Sequence, residues 1–383
     1  MRVDVQPRFR NLEALRGICA LLVALIHIPW TTSVLYLPFV KNAWLFVDFF
    51  FVLSGFIITF NYMGKGDSAF DARSFVLRRF FRLYPLHLLT LLAMLAIEVV
   101  REFVIPNWTN LPPRHTFTDD FVEASFFNLF LIHALGFTTK NVLNVPSWSI
   151  STEFWMYLLF ALCCVSLHSN LARIRAIIVV GVLAFIVLMV LNGSHGLATP
   201  LEYSFPRCVV SFSLGAAVWS MWSESRYQAS RNAIDIYFLA VLATLLLILS
   251  CVGRNSVWNI AVLPIFAVTI YLCAIDENSR VKNLLERDSF QRLGRWSYSI
   301  YMVHAAWTSL FGFILNRYYF DKTQISEMGN RVSVPLSIGD AVTVVYIVVV
   351  VLTAAITYKY IEKPCRSFGH KLAASRQIEI LPN

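Results

Sequence analysis

Residues 12–30 read LEALRGICALLVALIHIPW, a stretch apolar enough to lie inside a membrane that nevertheless carries Glu13, Arg16 and His27. On an α-helix, Arg16 and His27 are nearly eclipsed and stand ~16 Å apart along the axis, and Gly17 falls on the same side. Because a charge that faces lipid is costly, this stripe is expected to face other helices or a water-filled cavity. The alternative is a Glu13–Arg16 ion pair at the membrane rim, with His27 capping the far end of the helix.

The rest of the chain is similarly apolar. Of its 383 residues, 57% are apolar and 14% are charged. Ten apolar runs have roughly the length that crosses a bilayer, and they lie at 11–30, 43–61, 84–104, 147–167, 176–191, 205–222, 234–252, 257–274, 296–315 and 339–358. We therefore predict an all-α integral membrane protein of about ten transmembrane helices, with one domain over 9–366 and a short tail over 367–383. A weaker run, 121–137, is predicted to be re-entrant or interfacial.

The basic residues indicate an orientation. The 32 Lys and Arg residues concentrate in the segments on the same side as the N-terminus, which predicts that both termini are cytoplasmic. The net charge of +9 is therefore interpreted as a topology signal, and no nucleic-acid partner is predicted. The seven cysteines fall mainly in apolar runs without metal-ligand spacing to His, so no metal is predicted.

A carboxylate occurs in the second run, AWLFVDFFFVLSGFIITF (43–60). If the first two helices are antiparallel, Asp48 lies at a depth similar to His27. A carboxylate at that depth can hold the tautomer of an imidazole and stabilise its protonated form. The alternative is that Asp48 belongs to a buried structural pair.

A third polar cluster opens the fourth run, PSWSISTEFW (146–155). Ser149 and Glu153 are one helical turn apart and are expected to enter the membrane from the outer side. The alternative is an ordinary helix start, with Ser149 or Ser151 as the N-cap and Glu153 in the favourable first turns.

Three arginines stand together in LRRFFRLYP (77–85). Arg82 follows Arg78 by four residues and Arg79 by three, which predicts a compact guanidinium cluster at the cytoplasmic mouth of the third helix. Guanidinium groups bind phosphate oxygens through paired hydrogen bonds. The alternative is charge anchoring of the helix at the cytoplasmic surface.

Taken together, these pieces resemble the acyltransferase-3 family of bacterial multi-pass membrane acyltransferases. The resemblance rests on six segments in the family's order: NLEALRGICALLVALIH (11–27), FVDFFFVLSGFIIT (46–59), RRFFRLYP (78–85), PSWSISTEFW (146–155), WSYSIYMVH (296–304) and YIEKPCR (360–366). The chain departs from the family's pattern with Glu13 where Asp is more common and Lys363 where Arg is usual. It also lacks the C-terminal hydrolase-like domain of longer members, and is expected to be a stand-alone member.

The resemblance implies acyl transfer, most often of an acetyl group, from a cytoplasmic acyl-CoA to a hydroxyl of a surface-polysaccharide sugar at the bacterial inner membrane. The expected partners are acetyl-CoA as co-substrate, a carbohydrate acceptor, free or lipid-linked, and membrane lipid. Some members of similar length modify macrolide-like small molecules. A multi-pass exporter or transporter is the rival class, although no inverted repeat supports it.

The charge pattern and the resemblance together suggest roles for individual residues. Arg79 and Arg82 are expected to bind the phosphates of the donor, with Arg16 deeper along its path. His27 is expected to be the general base, oriented by Asp48 or Glu153. Residues that could line the cavity are Glu13, Trp148, Ser149, Ser151, Tyr301 and His304. Direct transfer is predicted, with an acyl intermediate on Ser149 or Ser151 as the alternative.

Overall fold

The computed structural model describes residues 9–63, 70–104, 117–139, 143–225, 230–319, 323–326 and 329–379, and these are almost entirely helical. The α-helices are α1 Arg10–Ile26, α2 Pro38–Lys41, α3 Phe46–Met63, α4 Ala72–Val99, α5 Asp119–Leu129, α6 Trp148–Ser166, α7 Asn170–Asn192, α8 Ser204–Glu224, α9 Arg231–Cys251, α10 Val262–Ile275, α11 Arg280–Leu285, α12 Asp288–Tyr318, α13 Leu336–Thr357 and α14 Lys363–Glu379. Short 3₁₀ turns cover Ser33–Tyr36, Ala43–Leu45, Val145–Ser147, Gly193–His195, Leu201–Tyr203 and Val257–Ala261, and π-helical turns cover Val100–Val104 and Tyr358–Glu362.

The ten predicted apolar runs all lie on helices, which confirms an all-α membrane protein. Within the described ranges, eight helical segments are long and apolar enough to cross a membrane. The other two runs correspond to α1, which has 17 residues, and to α8, which carries Arg207 among several serines. The predicted count of ten is thus supported only in part, and the cytoplasmic placement of both termini stays a prediction.

The weak run 121–137 does not form a transmembrane helix. Its helix, α5, has 11 residues and is therefore ~16 Å long, about half the thickness of the hydrocarbon core. Beyond α5 the chain turns at Leu131, whose φ is 57°, and the buried residues that follow lie against α4 and α6. This segment supplies polar partners to the neighbouring helices.

Helices α1 and α12 cross at a pair of glycines. A Cβ atom on Gly17 would lie 2.6 Å from the backbone carbon of Leu293, and one on Gly294 would collide with the carbonyl of Glu13. The backbones of the two helices therefore approach each other closely at Gly17 and Gly294. The two helices run in the same direction from this crossing, because ten residues further along both chains His27 lies beside His304. The crossing thus determines which residues meet near the far end.

A second crossing joins α3 and α8. A side chain on Gly55 would collide with the carbonyl of Phe212, and one on Gly215 with the carbonyl of Val52. These helices also run in the same direction, because Asp48 near the start of α3 contacts Arg207 near the start of α8. The close backbone approach is possible only because both positions lack a side chain.

The segment between α12 and α13 forms a small hairpin at the His27 end. Strand β1, Thr323–Ser326, pairs antiparallel with β2, Gly329–Val332. The backbone N–H of Val332 donates to the carbonyl of Pro29 over 2.8 Å, and Asp340 of α13 accepts from the hydroxyls of Thr32 and Ser33 over 2.7 Å each. The residues that follow His27 are therefore held in place.

Candidate active site

A cavity that is partly open to the surface lies between α1, α3, α4, α6 and α12. Six of the predicted site residues line it: Arg16, Arg79, Arg82, Ser149, Glu153 and Tyr301. The remaining polar lining comes from Ser54, Ser297 and Tyr298, and the apolar lining from Val47, Phe50, Phe51, Leu53, Ile57, Ile58, Leu83 and Ile150. Charged groups thus share the cavity with an apolar wall, a combination that suits a long ligand with a charged head and a less polar arm.

Arg16 is held in the wall by α12. Its guanidinium donates to the hydroxyl of Ser297 over 2.7 Å and to the carbonyl of Gly294 over 3.1 Å. The alternative expectation, an ion pair with Glu13, is not realised, since the donors of Arg16 are directed to α12 instead. Glu13 is half-buried one turn away and does not line the cavity.

Arg79 and Arg82 lie at the same end of the cavity. The guanidinium of Arg79 stands 5.5 Å from the ring centre of Tyr157 and 5.6 Å from that of Phe75, and its buried Nε has no hydrogen-bond partner among the described residues. Arg82 interacts electrostatically with Glu153. Within the described ranges, neither arginine is hydrogen-bonded to a carboxylate. Both guanidinium groups therefore retain donors that an anion could use.

Glu153 is part of the cavity wall. Its carboxylate accepts hydrogen bonds from the hydroxyl of Ser54 over 3.0 Å and from the hydroxyl of Tyr157. Tyr157 lies one turn after Glu153 on α6, so the helix itself brings the Tyr157 hydroxyl next to the Glu153 carboxylate. Glu153 therefore faces Arg82 and the cavity, and the expected contact with His27 is not formed.

Asp48 is bound to a different partner from the one expected. The guanidinium of Arg207 donates to both of its oxygens, with a shortest distance of 2.6 Å, and the hydroxyl of Ser211 donates over 3.0 Å. The ion pair is enclosed, because Arg207 also lies 5.0 Å from the ring centre of Trp44 and 5.3 Å from that of Trp148. The prediction that Asp48 orients His27 is therefore wrong, since its hydrogen-bonding capacity is directed to α8.

His27 ends α1 beside a second histidine. Its Nδ1 lies 2.7 Å from the carbonyl oxygen of Val23, and its ring centre is 5.0 Å from that of His304. The His304 ring is fully buried, and neither of its nitrogens has a hydrogen-bond partner among the described residues. Tyr301, one turn before His304, stacks edge-on at 5.7 Å and borders the cavity. His304 therefore packs against a lining residue and His27 packs against His304, and neither imidazole is part of the lining.

The two candidate serines have other partners. Ser149 shares a hydrogen bond of 2.8 Å with the hydroxyl of Tyr301, and Ser151 donates to the carbonyl of Leu131 over 2.6 Å. No histidine is bonded to either hydroxyl in the described part of the chain. Trp148, next to them, contacts the Asp48–Arg207 pair and does not line the cavity.

Several residues of the site could not be assigned from the sequence pattern. Ser54 and Tyr157 complete the Glu153 cluster, and Arg207 neutralises Asp48. A signal existed for Arg207, because an arginine at the edge of an apolar run predicts a carboxylate partner on another helix. No cluster of three or more potential metal ligands occurs in the ranges that the structure describes.

Comparison with known proteins decides the family. The acyltransferase-domain family matches residues 9–358, nearly the whole chain. The chain belongs to this acyltransferase family. The resemblance seen in the sequence motifs is thereby confirmed, and membership of this family supports an acyltransferase.

Individual relatives of the family are distant. YrhL of Bacillus subtilis, provisionally named a peptidoglycan O-acetyltransferase, is 24% identical over 96% of this chain and 56% of its own length. The O-acetyltransferase OatA of Staphylococcus aureus is 25% identical over 96% of this chain and 59% of its own length. The chain thus spans less than two thirds of the length of these two relatives. The acyltransferase MdmB of Streptomyces mycarofaciens is 25% identical over 94% of this chain and 92% of its own length. No solved structure matches the chain.

Proposed function

We propose that this protein is a membrane O-acyltransferase that moves an acetyl group from cytoplasmic acetyl-CoA to a hydroxyl of a surface-polysaccharide sugar. The observation that carries the proposal is the arrangement of the cavity. Arg79 and Arg82, with donors free for an anion, lie at one end, and Tyr301 connects the other end to the histidine pair. A donor bound by its phosphates at the first end would bring its thioester towards the second.

His27 is suited to act as general base because its tautomer is determined. A carbonyl oxygen can only accept, so the contact with Val23 requires the proton on Nδ1. The Nε2 lone pair is then available to take the proton of the acceptor hydroxyl. A backbone carbonyl thus takes the orienting role that was expected of Asp48 or Glu153.

The reaction balances as a direct transfer. The hydroxyl proton of the acceptor passes to Nε2 of His27 while the acceptor oxygen forms a bond to the acetyl carbon. The carbon–sulfur bond of the thioester breaks, and the sulfur leaves with the electron pair as the CoA thiolate. The thiolate takes up the proton that His27 accepted, which returns His27 to its neutral form. The contacts of Ser149 and Ser151 support direct transfer, because among the described residues neither hydroxyl is hydrogen-bonded to a histidine or a carboxylate that could activate it.

His304 is proposed to stabilise the oxyanion. A buried imidazole with two unpaired nitrogens is costly, and the cost is offset if one N–H donates to the thioester oxygen as negative charge develops there. The ring contact with His27 places this donor beside the base. Glu153 is proposed to hold Arg82 in the donor site, and Asp48 to hold α3 against α8 beneath Trp148.

The acceptor is proposed from the relatives. OatA and YrhL carry O-acetyltransferase names, and the YrhL name specifies peptidoglycan. A sugar hydroxyl, free or lipid-linked, presented at the His27 end is the acceptor that fits this chemistry. The protein would then lie in the bacterial cytoplasmic membrane with its donor end inside.

A small-molecule acceptor is the second candidate. MdmB, which this chain matches over nearly its full length, is named only as an acyltransferase, without a glycan in its name. A macrolide-like or other small hydroxylated acceptor would use the same base and the same donor site.

Acceptor labelling tests the proposal. Membranes that contain the protein are incubated with acetyl-CoA labelled in the acetyl group and with a lipid and glycan extract of the native host. Label in a glycan fraction that alkali releases as acetate supports the proposal. Label in a small-molecule fraction supports the second candidate, and equal labelling in membranes without the protein would contradict both.

A further inference from the structure

Helix α14, the last helix, extends the arginine cluster beyond the cavity. It continues α13 through the π-helical turn and lies against the first half of α4. The ring centres of Phe368 and Phe81 are 5.1 Å apart, Gly369 contacts the side chain of Phe81, and the hydroxyl of Ser74 donates to the carbonyl of Ala373 over 3.2 Å. These contacts place residues 366–370 beside the arginines of α4.

Glu362, Arg366 and His370 form a row on this last helical stretch. They are four residues apart, and each step is ~6 Å along a helix axis. Glu362 is buried and accepts from the hydroxyl of Ser299 over 2.8 Å, next to residues that line the cavity. Arg366 and His370 are exposed. The row therefore leads from the cavity wall to the surface.

The surroundings of the outer part of the row are cationic. Arg366 interacts electrostatically with Arg79 and Arg82, and His370 interacts with these two and with Arg78. Arg366 also interacts electrostatically with the carboxylate of Glu362. Basic groups that lie close together repel each other, and a polyanion bound between them would relieve this repulsion.

We infer that Arg366 and His370 form a subsite for the ribose 3′-phosphate of the acyl-CoA donor. The inference rests on the proposed function, which places the donor in the cavity. CoA carries a diphosphate next to its pantetheine arm and a separate 3′-phosphate on the ribose. Arg79 and Arg82 at the mouth bind the diphosphate, and the 3′-phosphate, which lies further from the thiol, reaches the outer row. Arginine in particular matches phosphate oxygens with paired donors.

The test compares CoA with 3′-dephospho-CoA on the full chain in lipid nanodiscs. A charged hydrogen-bonding subsite is expected to make wild type bind CoA about 10- to 100-fold more tightly than dephospho-CoA. Arg366→Ala should reduce this ratio to near one by weakening CoA only, and His370→Gln should reduce it in part. The affinity for dephospho-CoA, which both variants should retain, reports that they are folded. Lys371→Ala, an exposed residue beside the row, is the matched control and should keep the wild-type ratio.

The phosphate of an anionic lipid headgroup could bind to Arg366 and His370 in the same way. The titrations are therefore run in phosphatidylcholine alone and with phosphatidylglycerol added. If wild type prefers CoA to dephospho-CoA by the same ratio in both lipid compositions, the result supports a donor subsite. A ratio that disappears when phosphatidylglycerol is present would assign the row to lipid and overturn the inference. Equal binding of the two ligands by wild type would overturn the subsite alone, and no binding of either would overturn the subsite together with the proposed donor.

Discussion

Arginines at the two ends of the helix bundle have contrasting surroundings. Arg207 is buried, with donors on both oxygens of Asp48 and aromatic rings nearby. Arg79 and Arg82 border a cavity without a hydrogen-bonded carboxylate in the described part of the chain. A neutralised, enclosed pair is suited to holding helices together, whereas cations with unused donors are suited to binding a ligand. Whether an arginine has a structural or a ligand-binding role therefore depends on the partners of its side chain.

The largest expected effect concerns the enclosed pair. Asp48→Ala leaves the Arg207 charge buried without a partner and should lower the free energy of unfolding by about 3–5 kcal/mol. Thermal unfolding in detergent measures it. The double variant Asp48→Ala/Arg207→Met should recover much of the loss, since it removes both charges. If Asp48→Ala were as stable as wild type and only lost activity, Asp48 would have a catalytic role, and the Asp48–Arg207 pair would not be a structural one.

Substitution of Arg79 and Arg82, which border the cavity, should affect ligand binding more than stability. Arg79→Ala/Arg82→Ala removes donors without a carboxylate partner among the described residues, so the KM for acetyl-CoA should rise about 100-fold. The unfolding temperature should fall less than in Asp48→Ala, because Ser54 and Tyr157 still donate to the Glu153 carboxylate. Initial-rate kinetics on purified protein measure it. Lys371→Ala, which removes a positive charge on the same side of the bundle, serves as the control. An unchanged KM in the double variant would make these arginines surface anchors.

The histidine pair gives a smaller, more specific effect. His304→Ala should lower kcat for acetyl transfer about 10- to 100-fold because a proposed oxyanion donor is lost, with little change in the KM for acetyl-CoA. His304→Asn, which keeps an N–H donor, should restore part of the rate. If the two variants were equally impaired and equally unstable, His304 would be a packing residue only.

The smallest effect is expected at Ser151. Its hydroxyl donates to the carbonyl of Leu131, so Ser151→Ala should cost about 1 kcal/mol of stability and change kcat less than about threefold. Unfolding and rate measurements on the same preparation test this. Abolished transfer in a folded variant, or labelled acetyl trapped on wild-type Ser151, would instead indicate an acyl-enzyme.

Much of the fold could be predicted from the sequence because apolar runs and glycine stripes act locally. The runs lie on helices, and Gly17 marks the contact with α12. The arginine end of the site was predictable for the same reason, since Arg79 and Arg82 belong to one helix and face one cavity.

The pairing of groups between helices was harder to predict. Asp48 and His27 are predicted from the sequence to lie at similar depth, but depth does not specify which neighbour each side chain faces. Asp48 forms an ion pair with Arg207 because the crossing at Gly55 and Gly215 aligns α3 with α8. His27 contacts His304 because the crossing at Gly17 and Gly294 aligns α1 with α12. These registers depend on contacts far apart in the chain.

The proposed mechanism has the donor bound at the arginine end of the cavity and His27 acting beyond its Tyr301 end. Single-turnover transfer from saturating labelled acetyl-CoA, together with the Kd for CoA, tests it in wild type and His27→Ala. We expect His27→Ala to bind CoA within about twofold of wild type and to transfer acetyl ~10²- to 10⁴-fold more slowly. Transfer by His27→Ala at the wild-type rate would contradict it.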